Sequence, residues 1–171
     1  MLKTFDEWLY NFLKNKVEEM PIRLVKMVAY YYTDARIRKL YWRRLGVIMG
    51  DGTYANLGLC VVPNDNKICV MIGDNVSISP NVTFVCCESA NNGNRINRIS
   101  YVTENITREG NIVVEDDVWI GANVTILSGV RVGTCSVIGA GSVVTKDIEA
   151  YSIYAGVPAK KIRDLSGEKE V

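Results

Sequence analysis

The sequence predicts an all-β solenoid, a parallel β-helix of hexapeptide repeats with an N-terminal α-helical cap and one long excursion loop. Three observations carry this prediction. Apolar residues recur every six positions through most of the second half of the chain. The first 45 residues instead have the three- and four-residue spacing of an α-helix. A polar segment, residues 86–111, interrupts the six-residue period without changing its phase.

The composition of the 171-residue chain excludes several functional classes. A net charge of +1 is not that of a nucleic-acid-binding domain, so we expect no nucleic-acid partner. No apolar run is long enough to span a membrane, and acids stand where a signal peptide has its apolar core, which predicts a cytoplasmic protein. Five cysteines without a CxxC pair predict free thiols and no metal site. The chain has no histidine, which excludes Ser-His and Cys-His mechanisms within it.

Residues 1–45 are predicted to form the N-terminal helical cap. The apolar residues of the first helix share one face: Phe5, Trp8, Leu9, Phe12, Leu13 and Val17. Pro21 interrupts this pattern and predicts the start of a second helix that reaches Trp42. Basic residues alternate with Tyr and Trp over residues 23–47. Two interpretations stay open for them, packing of a cap against the β-helix or peripheral contact with the inner face of an anionic membrane.

Residues 46–165 are predicted to form the β-helix, and residues 166–171 a C-terminal tail. One column of large apolar residues keeps a single six-residue phase: Ile72, Ile78, Phe84, Val114, Ile120, Ile126, Val132, Ile138 and Val144. A second column, mostly small or β-branched, follows four residues later in each unit. We expect both columns to point inward and stack on their equivalents in adjacent coils, with Gly and Asn supplying positive φ at the corners.

The segment 86–111 is predicted to be a loop that leaves and re-enters a regular coil. Positions 72 and 114 differ by 42, a multiple of six, so the phase survives the interruption. Long polar loops on a rigid scaffold commonly carry function, which makes this loop a candidate for the acceptor side of a site.

Several motifs resemble those of a known family. They are the stretches Tyr54–Leu59, Ile72–Thr83, Asp117–Val124, Val137–Asp147 and Ala155–Arg163. On them the chain resembles the left-handed β-helix, hexapeptide-repeat acyltransferases. Within that family it is most similar to the galactoside, maltose and xenobiotic O-acetyltransferases and to acetyltransferases of polysaccharide biosynthesis.

The resemblance implies acetyl transfer from acetyl-CoA to a sugar, nucleotide-sugar or glycan acceptor by a homotrimer, without a metal. It implies that Trp119 lines the donor groove near the thioester. The other implied donor-binding residues are Gly121, Ala122, Ala140 and Gly141 along the pantetheine arm, Thr145 and Lys146 near the adenine, and Lys160, Lys161 and Arg163 at the phosphates. Asn56 matches an asparagine near the acceptor.

The sequence departs from the family at the general base. The family's histidine lies in the loop after a Pro-Asn-Val-Thr motif, and its place here falls at Ser89. Three alternatives stay open. In the first, Glu88 acts as the base in an environment that raises its pKa. In the second, the acceptor is a sugar amine that needs no histidine and is oriented by Asn91, Asn92, Asn94 and Glu88. In the third, the chain is an inactive trimer that binds CoA or a glycan or serves as a scaffold.

Overall fold

The computed structural model describes residues 2–168, so residues 169–171 of the predicted tail lie outside the described residues. The helices are α1 (Leu2–Asn15), α2 (Ile22–Tyr31), α3 (Ala35–Arg44) and α4 (Ser100–Asn105), with a 3-10 turn at Ile96–Arg98. The strands from β1 to β8 are Val47–Met49, Tyr54–Ala55, Cys60–Val62, Val70–Ile72, Ser77–Ile78, Thr83–Val85, Cys87–Glu88 and Arg108–Glu109. Those from β9 to β16 are Ile112–Val114, Trp119–Ile120, Thr125–Ile126, Arg131–Val132, Val137–Ile138, Val143–Val144, Ser152–Ala155 and Lys160–Asp164.

Three sheets receive the chain in turn, and their strands are parallel except at the last hairpin. The first sheet has the order β1-β4-β9-β12, the second β16-β15-β13-β10-β5-β2, and the third β14-β11-β6-β3. One passage through all three sheets is here called a coil. The third and fourth coils stack in a regular register. Trp119 pairs with Val137 in the second sheet and Thr125 pairs with Val143 in the third, so the offset along the chain is the same in both sheets. Only the last strand, β16, runs antiparallel to its neighbour in these sheets.

The predicted loop leaves the coils without disturbing their register. Ile72 pairs with Val114 in the first sheet, as the preserved phase predicts. The segment is not wholly irregular, because β7 and β8 form a two-stranded antiparallel stem and α4 lies beyond it. Cys86, at the predicted start of the loop, is fully buried and belongs to the coil itself.

The core follows the two predicted columns. Every residue of the first column is at most 3% exposed, and the nine residues divide evenly among the three sheets. The second column is equally buried and includes Ser136 and Ser142. Each of these hydroxyls donates to the carbonyl three residues earlier, Ser136 to Gly133 at 2.7 Å and Ser142 to Gly139 at 2.6 Å. The buried serines therefore cost little, because their polar groups are satisfied at the corners.

Positive φ recurs at the corners at multiples of six residues from Asn75 to Gly141, and Gly52 and Gly58 are six residues apart in the first coil. The residues are mostly Asn and Gly, as predicted: Gly52, Gly58, Asn75, Asn81, Asp117, Asn123, Gly129, Cys135 and Gly141. Cys135, with φ of 54°, is the unusual member, because a cysteine side chain gains nothing in the left-handed region.

Replacing Cys135 by Asn is expected to stabilise the protein by roughly 0.5–1 kcal/mol, because Asn tolerates the left-handed conformation better. Thermal denaturation followed by circular dichroism measures the effect. The matched control is Cys60→Asn, which removes a thiol from strand β3, where φ is not positive. Equal or opposite shifts in the two variants would show that backbone strain at Cys135 is negligible.

The N-terminal region holds three helices where the sequence predicted two. The second predicted helix is broken after Tyr31, because Asp34 caps a new helix by accepting hydrogen bonds from the backbone N–H groups of Arg36 and Ile37. Helix α3 packs against α2 and against the first-coil strands β1 and β2. Within residues 2–168, no helix has the length and apolar character needed to cross a bilayer.

Several basic and aromatic side chains of residues 23–47 are buried or donate hydrogen bonds within the protein. Tyr41 and Trp42 are buried, and the Tyr41 hydroxyl donates to the carbonyl of Leu13 in α1. Arg38 and Arg44 donate to backbone carbonyls, Arg38 to the first coil and Arg44 to the segment after α1. These side chains join the helices to each other and to the coils.

Candidate functional site

Trp119 lies on the outward face of the second sheet. Its side chain is 57% exposed, whereas its neighbour Ile120 is fully buried. Residues in register on adjacent strands share a face, so Trp119 belongs to a row across the sheet: Tyr54, Ser77, Trp119, Val137, Ile153 and Arg163. At about 4.8 Å per strand, this row carries Trp119 to within roughly 14 Å of Arg163. Tyr54 and Ser77 were not predicted as part of this surface. Ser77 shares the six-residue phase of Trp119, from which it is 42 positions away, but Tyr54 is 65 positions away and only the strand pairing places it in the row.

The predicted small residues meet where the chain turns from the second sheet to the third. Gly121 and Ala122 form this turn in the third coil, and Ala140 and Gly141 form it in the fourth. Gly141 donates its N–H to the carbonyl of Ala122 at 2.8 Å. A Cβ on Gly121 would lie 2.6 Å from the backbone nitrogen of Ala140, so only glycine permits this close stacking. The turn therefore presents backbone with little side chain beside Trp119.

Asn56 occupies the same turn two coils earlier. Its side-chain amide donates to the carbonyl of Ile78 at 3.0 Å, and its backbone N–H donates to the same oxygen at 3.1 Å. The structure thus brings Asn56 to the edge that holds Gly121, with one amide hydrogen already committed to the scaffold.

The C-terminal hairpin carries the predicted basic group, and its cations are not equally available. Lys161 forms ion pairs with Glu149 at 2.7 Å and with Asp164 at 2.9 Å. Hydrogen bonds to Asp164 and Glu149 raise the pKa of Lys161, and the same contacts with Lys161 lower the pKa values of both acids. Arg163 pairs with Glu168. Lys160, by contrast, forms no ion pair with any described residue and is the cation most available to an anion.

Thr145 and Lys146 lie elsewhere, at the turn that leaves the third sheet after β14. Lys146 is exposed and has no ion-pair partner in the described chain. Because Trp119 faces outward from the second sheet, one chain does not bring these two residues to its tryptophan.

Glu88 and Ser89 lie at the base of the loop, at that same turn after the third sheet. One Glu88 carboxylate oxygen accepts from the Ser128 N–H at 3.0 Å and from the Ser128 hydroxyl at 2.6 Å. Glu88 therefore fixes the stem of the loop to the third coil. Ser89 is exposed and donates to the side-chain oxygen of Asn91. No pattern in the sequence points to Ser128, because it lies 40 residues from Glu88.

Asn91 and Asn92 lie at the exposed tip of the loop and line an open cavity of about 430 Å³. Among residues 2–168, no three Cys, Asp or Glu side chains are grouped so as to hold a metal ion. The described chain thus contains three separated groups of candidate residues: the Trp119 row with its backbone turn, the basic hairpin, and the loop.

Comparison with known proteins gives these groups a context. The family model of the bacterial transferase hexapeptide, with six repeats, matches residues 111–146. The galactoside O-acetyltransferase of Escherichia coli is 41% identical over 119 residues, which are 69% of this chain and 54% of that protein. The enzyme of the same name from Lactococcus lactis is 37% identical over 127 residues, with the same coverages of 69% and 54%. The chain therefore spans about half the length of these curated relatives.

Two solved structures extend the similarity over almost the whole fold. A hexapeptide-repeat-containing acetyltransferase from Vibrio cholerae superposes with a TM-score of 0.67 at 26% identity, covering 90% of this chain and 93% of that one. A galactoside acetyltransferase in complex with coenzyme A gives a TM-score of 0.66 at 28% identity, covering 91% and 83%.

Proposed function

Because the chain belongs to the hexapeptide-repeat acyltransferase family, we propose that it transfers an acetyl group from acetyl-CoA to a hydroxyl of a sugar or glycan. The observation that carries the proposal is the exposed Trp119 on a row that leads to the basic C-terminal hairpin. The exposed indole ring offers a flat apolar surface, and the turn beside it exposes backbone with little side chain. Together they can bind the thin pantetheine arm of CoA.

The residues present fit such a donor at both ends. Trp119 would line the thioester end, and the stacked backbone of Gly121 and Gly141 would lie along the arm. Lys160 would meet the phosphates first, because its charge is not committed to a carboxylate within the described chain. Lys161 and Arg163 would have to exchange their present partners, so we expect them to contribute less.

The assembly belongs to the proposal as well. We propose a left-handed β-helix, capped by the N-terminal helices, that functions as a homotrimer. Trp119 faces outward from the second sheet, whereas Glu88 and Lys146 lie at the turn after the third sheet. These groups can act on one substrate when the second sheet of one subunit faces that turn of its neighbour. A trimer repeats this contact three times around one axis.

The acetyl step needs a proton acceptor other than histidine. The acceptor hydroxyl attacks the thioester carbonyl, its proton passes to a base, and the CoA thiolate leaves. We propose Glu88 as that base, since one carboxylate oxygen accepts from Ser128 and the other forms no hydrogen bond with the described chain. The missing histidine also favours a second candidate, transfer to a sugar amine, because an amine depends less on a general base than a hydroxyl does. Activity on amino sugars but not on matched hydroxyl sugars would select the second candidate.

A membrane contact through residues 23–47 and a cytoplasmic location stay predictions. The structure reduces the groups available for that contact, because Arg38, Tyr41 and Trp42 are buried. Arg23, Lys26 and Arg43 remain exposed. Flotation with vesicles of anionic lipid tests the contact directly.

Replacing Trp119 by Ala is expected to weaken acetyl-CoA binding at least about tenfold, because the donor loses its aromatic wall. Isothermal titration of the purified protein measures this. Trp8→Ala is a matched control, since Trp8 is also 57% exposed but lies on α1. Equal affinities in both variants would contradict the placement of the donor, and a wild-type chain that binds no acetyl-CoA at millimolar concentration would contradict the proposed function.

A further inference from the structure

The tip of the loop is a preorganised polar surface that the acetyl step does not use. It consists of residues 89–98, which include four Asn and two Arg and no acidic residue. The Ala90 carbonyl accepts from the Gly93 N–H at 2.7 Å and from the Asn97 side-chain amide at 2.9 Å. These bonds close the tip on itself, so its backbone turn and the Asn97 side chain are held in place before any ligand arrives.

The tip is also fixed relative to the coils. Its stem is the antiparallel pair in which Glu88 lies opposite Arg108. Glu88 holds the stem to Ser128, and Glu109 accepts from the backbone N–H of Asp65 at 3.3 Å. A ligand bound at the tip would therefore keep a defined position with respect to the base of the loop.

The electrostatics of the tip favour an anion. Arg98 donates from Nη2 to the Asn94 side-chain oxygen at 3.3 Å, which orients the guanidinium and leaves its Nε and Nη1 groups without a partner in the described chain. Arg95 and Arg98 form no ion pair with any residue between 2 and 168. Two unneutralised arginines within four residues attract a negatively charged group, and a guanidinium pairs with a carboxylate through two parallel hydrogen bonds.

The lining indicates what carries that anionic group. The cavity of about 430 Å³ is bounded by Asn91, Asn92, Gly93, Asn94, Asn97 and Arg98. Primary amides offer a donor and an acceptor side by side, which matches the hydroxyls of a sugar. None of these lining residues is aromatic, so the cavity offers no aromatic ring on which a nucleobase could stack. The cavity is open to solvent, which suits a unit within a longer chain.

We propose that this cavity binds the carboxylate and adjacent hydroxyls of an acidic sugar, so that the acceptor is a glycan of the uronic-acid class. The assignment of the bound sugar as the acceptor rests on the proposed function, but its binding does not. Arg98 takes the carboxylate, and the side chains of Asn91, Asn92 and Asn97 take hydroxyls. Arg95 adds a long-range attraction that salt should screen.

The test is titration of the whole protein, without acetyl-CoA, with a galacturonic acid trisaccharide and with its methyl ester. The two probes share one skeleton and differ in charge. We expect the acid to bind at millimolar or better affinity and at least about tenfold more tightly than the ester, in line with a charge-assisted hydrogen bond. Arg98→Gln should abolish that preference, whereas Arg43→Gln, an exposed change on α3, should retain it.

Several outcomes would overturn the proposal: equal affinity for acid and ester, no binding of either probe at millimolar concentration, or an unchanged preference in folded Arg98→Gln protein. Acid-selective binding by a protein that neither binds nor consumes acetyl-CoA would keep the acidic-sugar site and reject the transferase. Binding of acetyl-CoA without selectivity for the acid would reject the acidic-sugar site and leave the proposed transferase function in place.

Discussion

Replacing Glu88 by Gln is expected to lower turnover about 100- to 10,000-fold, the range that a general base contributes. The substitution keeps an oxygen that can accept from Ser128, so the stem of the loop should stay in place. Because Trp119 and the basic hairpin are untouched, we expect acetyl-CoA affinity to remain that of the wild-type chain. Release of CoA with the best acceptor measures turnover, and calorimetry measures donor binding.

The control for this variant is Ser128→Ala. It removes the hydroxyl that holds Glu88 at 2.6 Å but leaves the carboxylate available as a base. If Glu88 only positions the loop, Glu88→Gln should keep most of its activity, because its oxygen can still accept from Ser128, and the Ser128 variant should lose at least as much. If Glu88 takes the proton, the Ser128 variant should lose much less activity than Glu88→Gln, because its carboxylate is still present. Near-wild-type turnover in Glu88→Gln would reject Glu88 as the base.

Replacing Arg38 by Met is expected to destabilise the protein by about 2–4 kcal/mol, because three carbonyls, one of them in a buried contact, lose their hydrogen-bond donor. Arg38 is 4% exposed and donates to the carbonyls of Tyr32, Thr33 and Ala55 at 2.6–2.8 Å. Methionine fills much of the volume but leaves these carbonyls without their donor. Burial also lowers the pKa of the Arg38 guanidinium.

Chemical denaturation of Arg38→Met beside Arg43→Met measures this loss. Arg43 lies on the same helix but is exposed and has no ion pair in the described chain, so its replacement should change the free energy of unfolding by less than about 0.5 kcal/mol. Equal stability of the two variants would mean that the hydrogen bonds of Arg38 add little to the joining of the helices and the coils. A large loss confined to Arg38 would identify it as a main polar link between α3 and the first coil, beside the bond from Lys39 to the Gly50 carbonyl.

The six-residue columns show that a local sequence pattern can predict which side chains point into the core. Ile78, Ile120 and Ile138 were predicted to point inward and stack, and all three are buried in register on the second sheet. The same phase predicts that Trp119, next to Ile120, points outward, as the structure shows. Such predictions hold because every hexad forms the same short strand and corner. Each inward residue therefore stacks on its equivalents in the adjacent coils.

The errors and omissions have a different origin. The break at Asp34 was missed because a single capping residue within an apolar helical pattern is a weak signal. The contact of Glu88 with Ser128 and that of Arg38 with Ala55 join residues that lie 40 and 17 positions apart. No period relates the members of these pairs, so only the folded chain brings them together.

By itself, the sequence determined the coil, its inward columns, the preserved phase across the loop and the family to which the chain belongs, because these depend on repeated local spacing. Only the tertiary structure decided which hexads share a sheet, which cations stay unpaired, and that Trp119 and Glu88 lie on different sides of one chain. Those properties depend on the stacking of coils and on single side-chain contacts across them, which no repeat in the sequence specifies.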